Sequence, residues 1–379
     1  PNHKGFSPMR TARFIGSGGH VEWFYGDPYF QGLKPLLDTH GLSVEPFAYR
    51  PGQTPDGPPA EIAFWVNEVP DGPAAAQAAA RRHLLFLYEP HVVMPRIWQP
   101  RLHEAFDLVF TWDDALVDGK RYHKFNYLVD RDNGALAAFR TARTQPKERP
   151  FALINAHKLS HEPGELYSER IRVVEWFECH APGDFDLYGP WWDQPVHVLT
   201  PPKGKAAKRL ARWKARLGRF VPSLRPQAPN YASYRGKVDD KHSALARTRF
   251  CFAYENADDR AGYLTEKIFD AFAAACVPIY LGATNVERTI PPACFVDARD
   301  FASIGALVDH CRAMRQTDYE AHRDAIEAFL GSPAFEPPAR LSGSYFLESV
   351  PSRPYRAALR HNFQRLPNGS GRPSSVAPA

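Results

Sequence analysis

Residues 254–267, YENADDRAGYLTEK, bring together side chain types that can bind and transform a charged ligand. The segment completes an apolar run, RFCFAY, and leads into a second apolar run that begins at Ile268. Its polar members of interest are Glu255, Asn256, Tyr263, Glu266 and Lys267. Thr265 is a residue type that favours helix N-caps, so the spacing predicts Glu266 and Lys267 as the first two residues of a helix.

A lysine in the first turn of this helix has two interpretations, and one of them is an anion site. The free N–H groups and the dipole of a helix that follows a parallel strand attract phosphates and nucleotides. Lys267 adds a full positive charge where the dipole disfavours one, unless an anion lies between them. Glu266 would then contact a different polar part of the same ligand. The other interpretation makes Glu266 and Lys267 solvated helix surface, and the spacing alone does not choose between the two.

These residues need a scaffold of strands and helices, and the rest of the chain supplies one. Short apolar runs predict strands at 12–16, 61–66, 84–88, 107–111, 151–155, 185–189, 249–254, 277–282 and 294–298. Helical patterns lie between many of them, at 72–83, 165–180, 239–249 and 266–275. Strands that alternate with helices indicate parallel sheets with covered faces, so the predicted fold class is α/β.

The strand–helix pattern starts again after residues 139–150, FRTARTQPKERP, a polar, basic and proline-bearing stretch. We interpret this stretch as the linker between two Rossmann-like halves, an N-terminal domain at 9–145 and a C-terminal domain at 150–350. A helix is predicted at 351–365, packing back toward the N-terminal domain. The tail at 366–379 is rich in Pro, Gly and Ser, which predicts disorder.

The bulk composition excludes several classes of protein. The chain has 379 residues, of which 44% are hydrophobic and 23% charged, as is typical of soluble globular proteins. Its net charge of +5 is mildly basic, which is compatible with an anionic ligand. Because nothing in it resembles the dense basic face of a nucleic-acid binder, we expect no nucleic-acid partner.

The cysteines and the apolar runs indicate an intracellular, cytoplasmic protein. Five widely spaced cysteines without a CxxC pattern argue against a disulfide framework and against a zinc site. No apolar run approaches the roughly 18 residues that a membrane span requires. Residues 1–8 precede Met9 and are interpreted as leader residues rather than a signal peptide.

Residues 203–220, KGKAAKRLARWKARLGRF, form a basic stretch with Leu210, Trp213 and Leu217 at helical spacing. The favoured interpretation is an exposed amphipathic helix inserted in the second half of the chain. The alternative is a peripheral contact with an anionic membrane surface, such as the inner membrane.

The stretch RFCFAYENADDRAGYLTEKIFDAFAAACVPIYLGATNVERTIPPACFVDARDF, residues 249–301, resembles the signature of the family 10 fucosyltransferases (α-1,3/1,4). That signature has a strand ending in F/Y-E-N, then G-Y-x-T-E-K-I/L-F, V-P-I-Y-L-G and I-P-P/x-x-x-F-I/V-D. Upstream, YRGKVDDKHSALARTRF resembles the lead-in of the bacterial α-1,3-fucosyltransferases of this family, and FLGSPAF at 329–335 is similar to their C-terminal helical region.

The resemblance extends into the first half of the chain. Residues 84–127 look like the acceptor-domain motif of the bacterial members, in which the proposed general base falls on Glu89. The stretch LINAHKLSHEPGELYSERIRVVEWF resembles the start of the donor domain. The family arginine that contacts the diphosphate falls on Arg170, with Arg172 as the alternative.

The resemblance implies a GT-B architecture, with two Rossmann-like domains facing each other across a cleft. The N-terminal domain would bind the acceptor and the C-terminal domain GDP-fucose. The implied reaction transfers L-fucose with inversion to O3 of GlcNAc in a glycan, forming an α-1,3 linkage. N-acetyllactosamine in a bacterial surface polysaccharide is the implied kind of acceptor, and GDP-fucose is a co-substrate rather than a cofactor.

The resemblance also implies a role for each candidate residue. Glu89 takes the proton of the acceptor hydroxyl, and Glu266 contacts the ribose or the fucose and can stabilise an oxocarbenium-like transition state. Lys267 and Arg170 neutralise the diphosphate. The remaining donor-contact candidates are Asn256, Tyr263 and Glu255, the last of which either binds the donor or braces the loop. No metal is expected, because cations and helix N–H groups stabilise the leaving group.

Other interpretations remain open at the level of the sequence. The same fold could use another GDP-sugar or another acceptor hydroxyl, or the chain could be a non-catalytic glycan- or nucleotide-binding protein. An NAD-dependent oxidoreductase is disfavoured, since IGSGGH at 15–20 lacks the G-x-G-x-x-G pattern. The Asp113–Asp114 and Asp258–Asp259 pairs are interpreted as solvated turns rather than metal ligands.

Overall fold

A computed structural model describes residues 10–17, 37, 42–124, 134–217, 227–333 and 335. These residues divide into two compact units. Unit 1 takes the described residues up to Leu85 together with Ala105–Leu108, and unit 2 takes Phe86–Glu104 and the described residues from Val109 onward.

Unit 1 is built on parallel strands. Its elements are β1 (Arg10–Ser17), β2 (Leu42–Tyr49), β3 (Ile62–Val66), α1 (Pro73–Ala79) and the start of β4 (His83–Leu87). Strand β1 pairs in parallel with both β2 and β3, with Phe14 opposite Pro46 on one side and Phe64 on the other. Phe14 and Phe64 are almost wholly buried, so the apolar residues that predict these strands also form the core.

Unit 2 contains the larger set of elements. In chain order they are α2 (Pro100–His103), β5 (Leu108–Thr111), β6 (Tyr122–Lys124), α3 (Ala135–Arg143), β7 (Arg149–Ile154), β8 (Lys158–Leu159), α4 (Tyr167–His180), β9 (Phe185–Tyr188), β10 (His197–Val198), α5 (Lys205–Leu217), α6 (Lys241–Ala246), β11 (Thr248–Tyr254), α7 (Glu266–Ala273), β12 (Val277–Leu281), β13 (Val296–Asp297), α8 (Ile304–Ala313) and α9 (Gln316–Gly331).

A five-stranded sheet with the order β13-β12-β11-β7-β9 forms the centre of unit 2. Each strand pairs in parallel with its neighbours. Phe252 and Ile279 pack into one core with Phe177 from α4, and Ala253 and Tyr280 pack into a second core with Phe272 from α7. Both faces of these strands are therefore apolar. Because the strands are parallel, the loops after β7, β11 and β12 leave from the same edge of the sheet.

The predicted α/β fold class is confirmed, and several predicted elements differ from the structure at their ends. The predicted strand 294–298 is shortened to β13 (Val296–Asp297), because Pro292–Cys294 form a tight turn before it and the Asp297 side chain accepts a hydrogen bond from the Arg299 N–H and starts another after it. The helix predicted at 239–249 is shorter, Lys241–Ala246, since Asp240 caps its start and Thr248 already belongs to β11.

The predicted linker at 139–150 is wrong for its first residues, which belong to helix α3. Phe139 is fully buried, and Arg143 forms ion pairs with Glu320, Asp324 and Glu327 on α9. The basic residues that suggest a linker therefore face an acidic helix of the same unit. The division into units also differs from the predicted domains, because Phe86–Glu104 and the described residues of 109–145 belong to unit 2.

Several predictions fall outside the described residues. They concern the first eight residues, the end of IGSGGH, the helix at 351–365 and the tail at 366–379. Among the helices that the structure does describe, none has both the length and the apolar character of a membrane span.

Candidate active site

Glu255 stands at the carboxyl end of β11 and is fully buried. Its Oε1 accepts a hydrogen bond from the Thr265 N–H at 2.8 Å, and its Oε2 accepts one from the Thr265 hydroxyl at 2.6 Å. Thr265 occupies the predicted N-cap position of α7, but its side chain makes no capping bond there. The hydroxyl is instead used by Glu255, so of the two roles open to Glu255 the geometry favours bracing the loop.

Lys267 lies in the first turn of α7, as predicted, and its amine is held by carboxylates. The Nζ is 3.4 Å from Glu255 Oε2 and 3.4 Å from Glu266 Oε1, and it donates to the Thr265 hydroxyl at 3.0 Å. Burial alone would lower the pKa of this amine, but Glu266 and Glu255 raise it above its ordinary value. Lys267 is therefore a fixed positive charge at the start of the helix.

Glu266 differs from Glu255 in exposure and in charge environment. Its side chain is 46% exposed, whereas that of Glu255 is covered. Burial opposes ionisation of Glu266, but Lys267 and Lys241 together hold its pKa below the usual range. Glu266 is thus an ionised carboxylate that a ligand can reach, which is what the predicted contact with ribose or fucose requires.

Arg170 reaches the same site from α4 and is buried. Its Nη2 donates to the Tyr254 carbonyl at 2.7 Å and to Asn256 Oδ1 at 2.9 Å, and its guanidinium lies 4.9 Å from the centre of the Tyr167 ring. Its Nε has no hydrogen-bond partner among the described residues. Arg172 is exposed and pairs with Glu169, so of the two arginines Arg170 is the one at this site.

Glu89 follows β4 and lies far before Lys267 in the chain. Its carboxyl is nevertheless influenced by the charges of Lys267 and Glu266. Burial raises the pKa of its carboxyl above the ordinary value; Lys267 and Lys158 oppose that rise and Glu266 adds to it. The Glu89 carbonyl accepts a hydrogen bond from Trp98 Nε1 at 2.9 Å, which fixes the backbone at this point. A half-buried carboxyl with a raised pKa is a stronger base than an ordinary glutamate, which suits it to accept a proton.

Lys158 is a residue of this site that sequence reasoning missed. It lies on β8, and its Nζ is 5.6 Å from the centre of the Trp191 ring. Burial lowers the pKa of its amine, while Glu89 favours the charged form. No motif distinguishes this lysine, because it stands in an unpatterned stretch after β7, and only the fold shows that it acts on Glu89.

Tyr263 packs inside the unit. Its ring is 1% exposed and lies 4.4 Å from that of Trp112, centre to centre. The packing of Tyr263 against Trp112 holds the end of the 257–263 loop, which sets the position of Thr265. The predicted donor contact of Tyr263 stays a prediction.

The loop before Tyr263 is fastened by charged pairs. Arg260 forms an ion pair with Asp113 at 2.5 Å and stacks over the Trp98 ring at 5.0 Å. His91 lies 3.3 Å from Asp259. The interpretation of Asp113 as part of a solvated turn is therefore wrong, because its side chain is covered by Arg260. In the described part of the chain, no cluster of His, Cys, Asp and Glu could hold a metal ion.

Gly262 is the tightest point of this loop, and its replacement gives a testable prediction. Its φ is +88°, and a Cβ would lie 2.3 Å from the Trp112 carbonyl oxygen. Gly262→Ala should destabilise the fold by about 2–4 kcal/mol, the sum of backbone strain and overpacking. Gly236→Ala is the matched control, since Gly236 has the same φ with nothing within 4 Å, and should cost about 1 kcal/mol. Equal urea midpoints for the two variants would contradict the close approach.

A cavity of about 350 Å³ opens beside the charged cluster. Residues that line it include Asn155, Gly189, Lys237, Lys241, Glu266 and Lys267. Its volume is within the range of small-ligand sites, and Lys237, Lys241 and Lys267 are among the residues that line it. The cluster and the cavity together fit a ligand that has an anionic part at Lys267 and an uncharged part in the cavity.

Comparison with known proteins supports the resemblance seen in the motifs. Residues 227–323 match the family model described as glycosyltransferase family 10 (fucosyltransferase) C-term, about a quarter of the 379 residues. Glu255, Asn256, Glu266 and Lys267 all lie within the matched segment, so the predicted resemblance is confirmed there. Glu89 lies outside it.

The chain spans about half of the length of two similar proteins. Alpha-(1,3)-fucosyltransferase 7 of Rattus norvegicus is 31% identical over 195 residues, which are 46% of this chain and 50% of the relative. Alpha-(1,3)-fucosyltransferase 4 of Bos taurus is 41% identical over 211 residues, 48% of this chain and 52% of the relative. A solved structure of an alpha1,3-fucosyltransferase with GDP-fucose is 15% identical, with 93% of this chain and 94% of that chain covered and a TM-score of 0.49.

Proposed function

We propose that the chain is an inverting α-1,3-fucosyltransferase of the GT-B type that transfers L-fucose from GDP-fucose to a glycan hydroxyl. The observation that carries the proposal is the placement of Lys267 in the first turn of α7. There its amine is fixed beside Glu266, within the segment that matches the fucosyltransferase family model. This gives the donor a cation for its diphosphate and a carboxylate for its sugar side.

The donor side of the site stabilises the departing GDP. When the bond between fucose C1 and the phosphate oxygen breaks, the electron pair stays on the diphosphate. Lys267, the free N–H groups of α7 and the unpartnered Nε of Arg170 are the groups that supply positive charge there. Glu266, ionised and accessible, favours the positive charge that develops on the fucose ring.

The acceptor side needs a proton acceptor, and Glu89 is suited to it. The acceptor oxygen forms its bond to fucose C1 as the C1–phosphate bond breaks, and its proton passes to the Glu89 carboxylate. Attack opposite to the leaving group inverts the configuration at C1. Lys267 and Lys158 both favour the ionised form of Glu89 and so oppose the rise that burial causes in its pKa.

The acceptor is proposed to be O3 of GlcNAc in an N-acetyllactosamine-type glycan. A reducing, cytoplasmic location is proposed because all five cysteines are free thiols. Metal independence is part of the proposal, since Lys267 and Arg170 perform the charge neutralisation that a divalent cation would otherwise supply.

An activity screen tests this proposal. GDP-sugars are incubated with N-acetyllactosamine and related acceptors in EDTA, and the GDP released is measured. GDP-fucose with a GlcNAc-containing acceptor should give turnover, and NMR of the product should show an α-1,3 linkage. Absence of turnover with every GDP-fucose and acceptor pair would overturn the enzyme assignment, and turnover only without EDTA would overturn metal independence.

The two neighbouring arginines of α4 give a matched prediction. Arg170→Lys keeps the charge but loses the two bonds to Tyr254 and Asn256, and should weaken GDP binding by on the order of tenfold to a hundredfold. Arg172→Lys makes the same chemical change at an exposed position and should leave the affinity unchanged. Calorimetry with GDP checks both, and equal affinities would place Arg170 outside the phosphate site.

A further inference from the structure

Helix α5 (Lys205–Leu217) has an unusual surface for a helix of a globular protein. Two of its three large apolar side chains, Leu210 and Trp213, are 52% and 57% exposed, and the third, Leu217, is half-buried. The Lys205, Lys208, Arg209 and Arg216 side chains are exposed as well. The helix therefore presents Leu210 and Trp213 outward.

Apolar and basic residues on α5 form two parallel stripes. Residues 206, 210, 213 and 217 are apolar and follow the spacing of one helix face. Residues 205, 209, 212 and 216 are basic and follow the same spacing, one position earlier. A helix with this arrangement can insert an apolar edge between lipid headgroups while its cations contact the phosphates beside it.

The positive charge of residues 203–217 favours an anionic partner. Residues 203–217 contain seven Lys and Arg and no acidic residue, whereas the whole chain has a net charge of only +5. The rest of the chain is thus net negative by two, and the positive excess is concentrated in this segment. Residues 339–379 hold six Arg and one Glu, so the C-terminal part of the chain does not supply the missing negative charge.

We propose that α5 docks the protein on an anionic lipid surface, with Leu210 and Trp213 inserted and the basic stripe on the phosphate groups. An anionic bilayer provides both things that the helix lacks, an apolar phase and a dense negative charge. This proposal does not depend on the proposed function. It concerns a surface helix that takes no part in the site around Lys267.

Vesicle sedimentation with the full chain tests the proposal. The wild type should sediment with vesicles of phosphatidylcholine mixed with phosphatidylglycerol, should remain in solution with phosphatidylcholine alone, and should be released by high salt. Lys208→Gln with Arg209→Gln removes two cations and should weaken vesicle binding on the order of thirtyfold. Trp213→Ala should also weaken it, because the inserted edge loses its largest side chain.

The matched control removes another exposed Lys–Arg pair. Lys120→Gln with Arg121→Gln makes the same change away from α5 and should bind vesicles as the wild type does. Equal loss in both double variants, equal binding to neutral vesicles, or no sedimentation would overturn the proposal. The proposal would also be overturned if α5 bound a DNA duplex but not vesicles. It would be overturned as well if the protein bound no vesicles and formed a dimer that Trp213→Ala dissociated.

Discussion

Glu89→Gln should lower kcat by about a hundredfold to ten-thousandfold while GDP binding stays near the wild-type value. The variant removes only the ability to accept a proton, because Gln has nearly the same size and retains the surroundings of Glu89. In the proposed mechanism donor binding depends on Lys267 and Arg170, which the substitution leaves in place. Steady-state kinetics with a saturating acceptor and calorimetry with GDP measure the two effects separately.

Glu104→Gln is the control for this substitution. Glu104 is an exposed carboxylate at the end of α2, and its replacement should change neither kcat nor GDP affinity. A Glu89→Gln variant with near-normal kcat would assign the base to another carboxylate. A variant that lost GDP affinity as well would make Glu89 a structural residue of the donor site.

The raised pKa of Glu89 makes the hypothesis that Glu89 is the base testable through the pH dependence of kcat/KM. The base must be ionised, so kcat/KM should fall as pH decreases through its pKa. Since burial raises that pKa, the acidic limb of the profile should lie above the ordinary range of a glutamic acid. Lys158→Gln removes a charge that opposes this rise, so it should move the limb to still higher pH.

The local part of the site could be predicted from the sequence. The apolar run before Glu255, the cap position of Thr265 and the start of the helix at Glu266 are set by residues near one another in the chain. The structure has all three where the spacing predicts them. Helix-opening residues are predictable because propensity and capping act within one turn.

The long-range contacts could not be predicted in this way. The ion pair of Arg260 with Asp113 joins positions 147 residues apart, and no periodicity relates them. Lys158 influences Glu89 through space. It lies on β8, a strand of two residues that no apolar run in the sequence predicts. The complete burial of Glu255 also depends on the packing of Gly282, which follows β12. A Cβ at Gly282 would lie 2.4 Å from the Glu255 side chain.

Lys267→Met should weaken GDP binding on the order of tenfold to a hundredfold and should also destabilise the fold. The second effect arises because the amine compensates the buried Glu255 carboxylate, from which it is 3.4 Å distant. Breaking a buried pair by removing one partner costs about 3–5 kcal/mol. Urea unfolding at pH 8 measures that loss, and Lys120→Met at an exposed position should show none.

The destabilisation of Lys267→Met should depend on pH. Burial raises the pKa of Glu255, and Lys267 is the largest of the influences that oppose that rise. The folded state then binds a proton that the unfolded state has already released, so stability falls as pH rises above the ordinary glutamate pKa. The variant should therefore be closer to the wild type at pH 5 than at pH 8.

Glu255→Gln combined with Lys267→Met separates the two roles of the lysine. The oxygen of a Gln amide can still accept the hydrogen bond from the Thr265 N–H, its NH2 group can donate to the Thr265 hydroxyl oxygen, and the amide carries no charge that needs a partner. The double variant should regain most of the stability at pH 8 and lose the pH dependence, yet GDP binding should stay weak. Restored GDP binding would mean that Lys267 acts only by holding the loop. If the double variant were as unstable as Lys267→Met, the ion pair with Glu255 would not be the way in which Lys267 stabilises the fold.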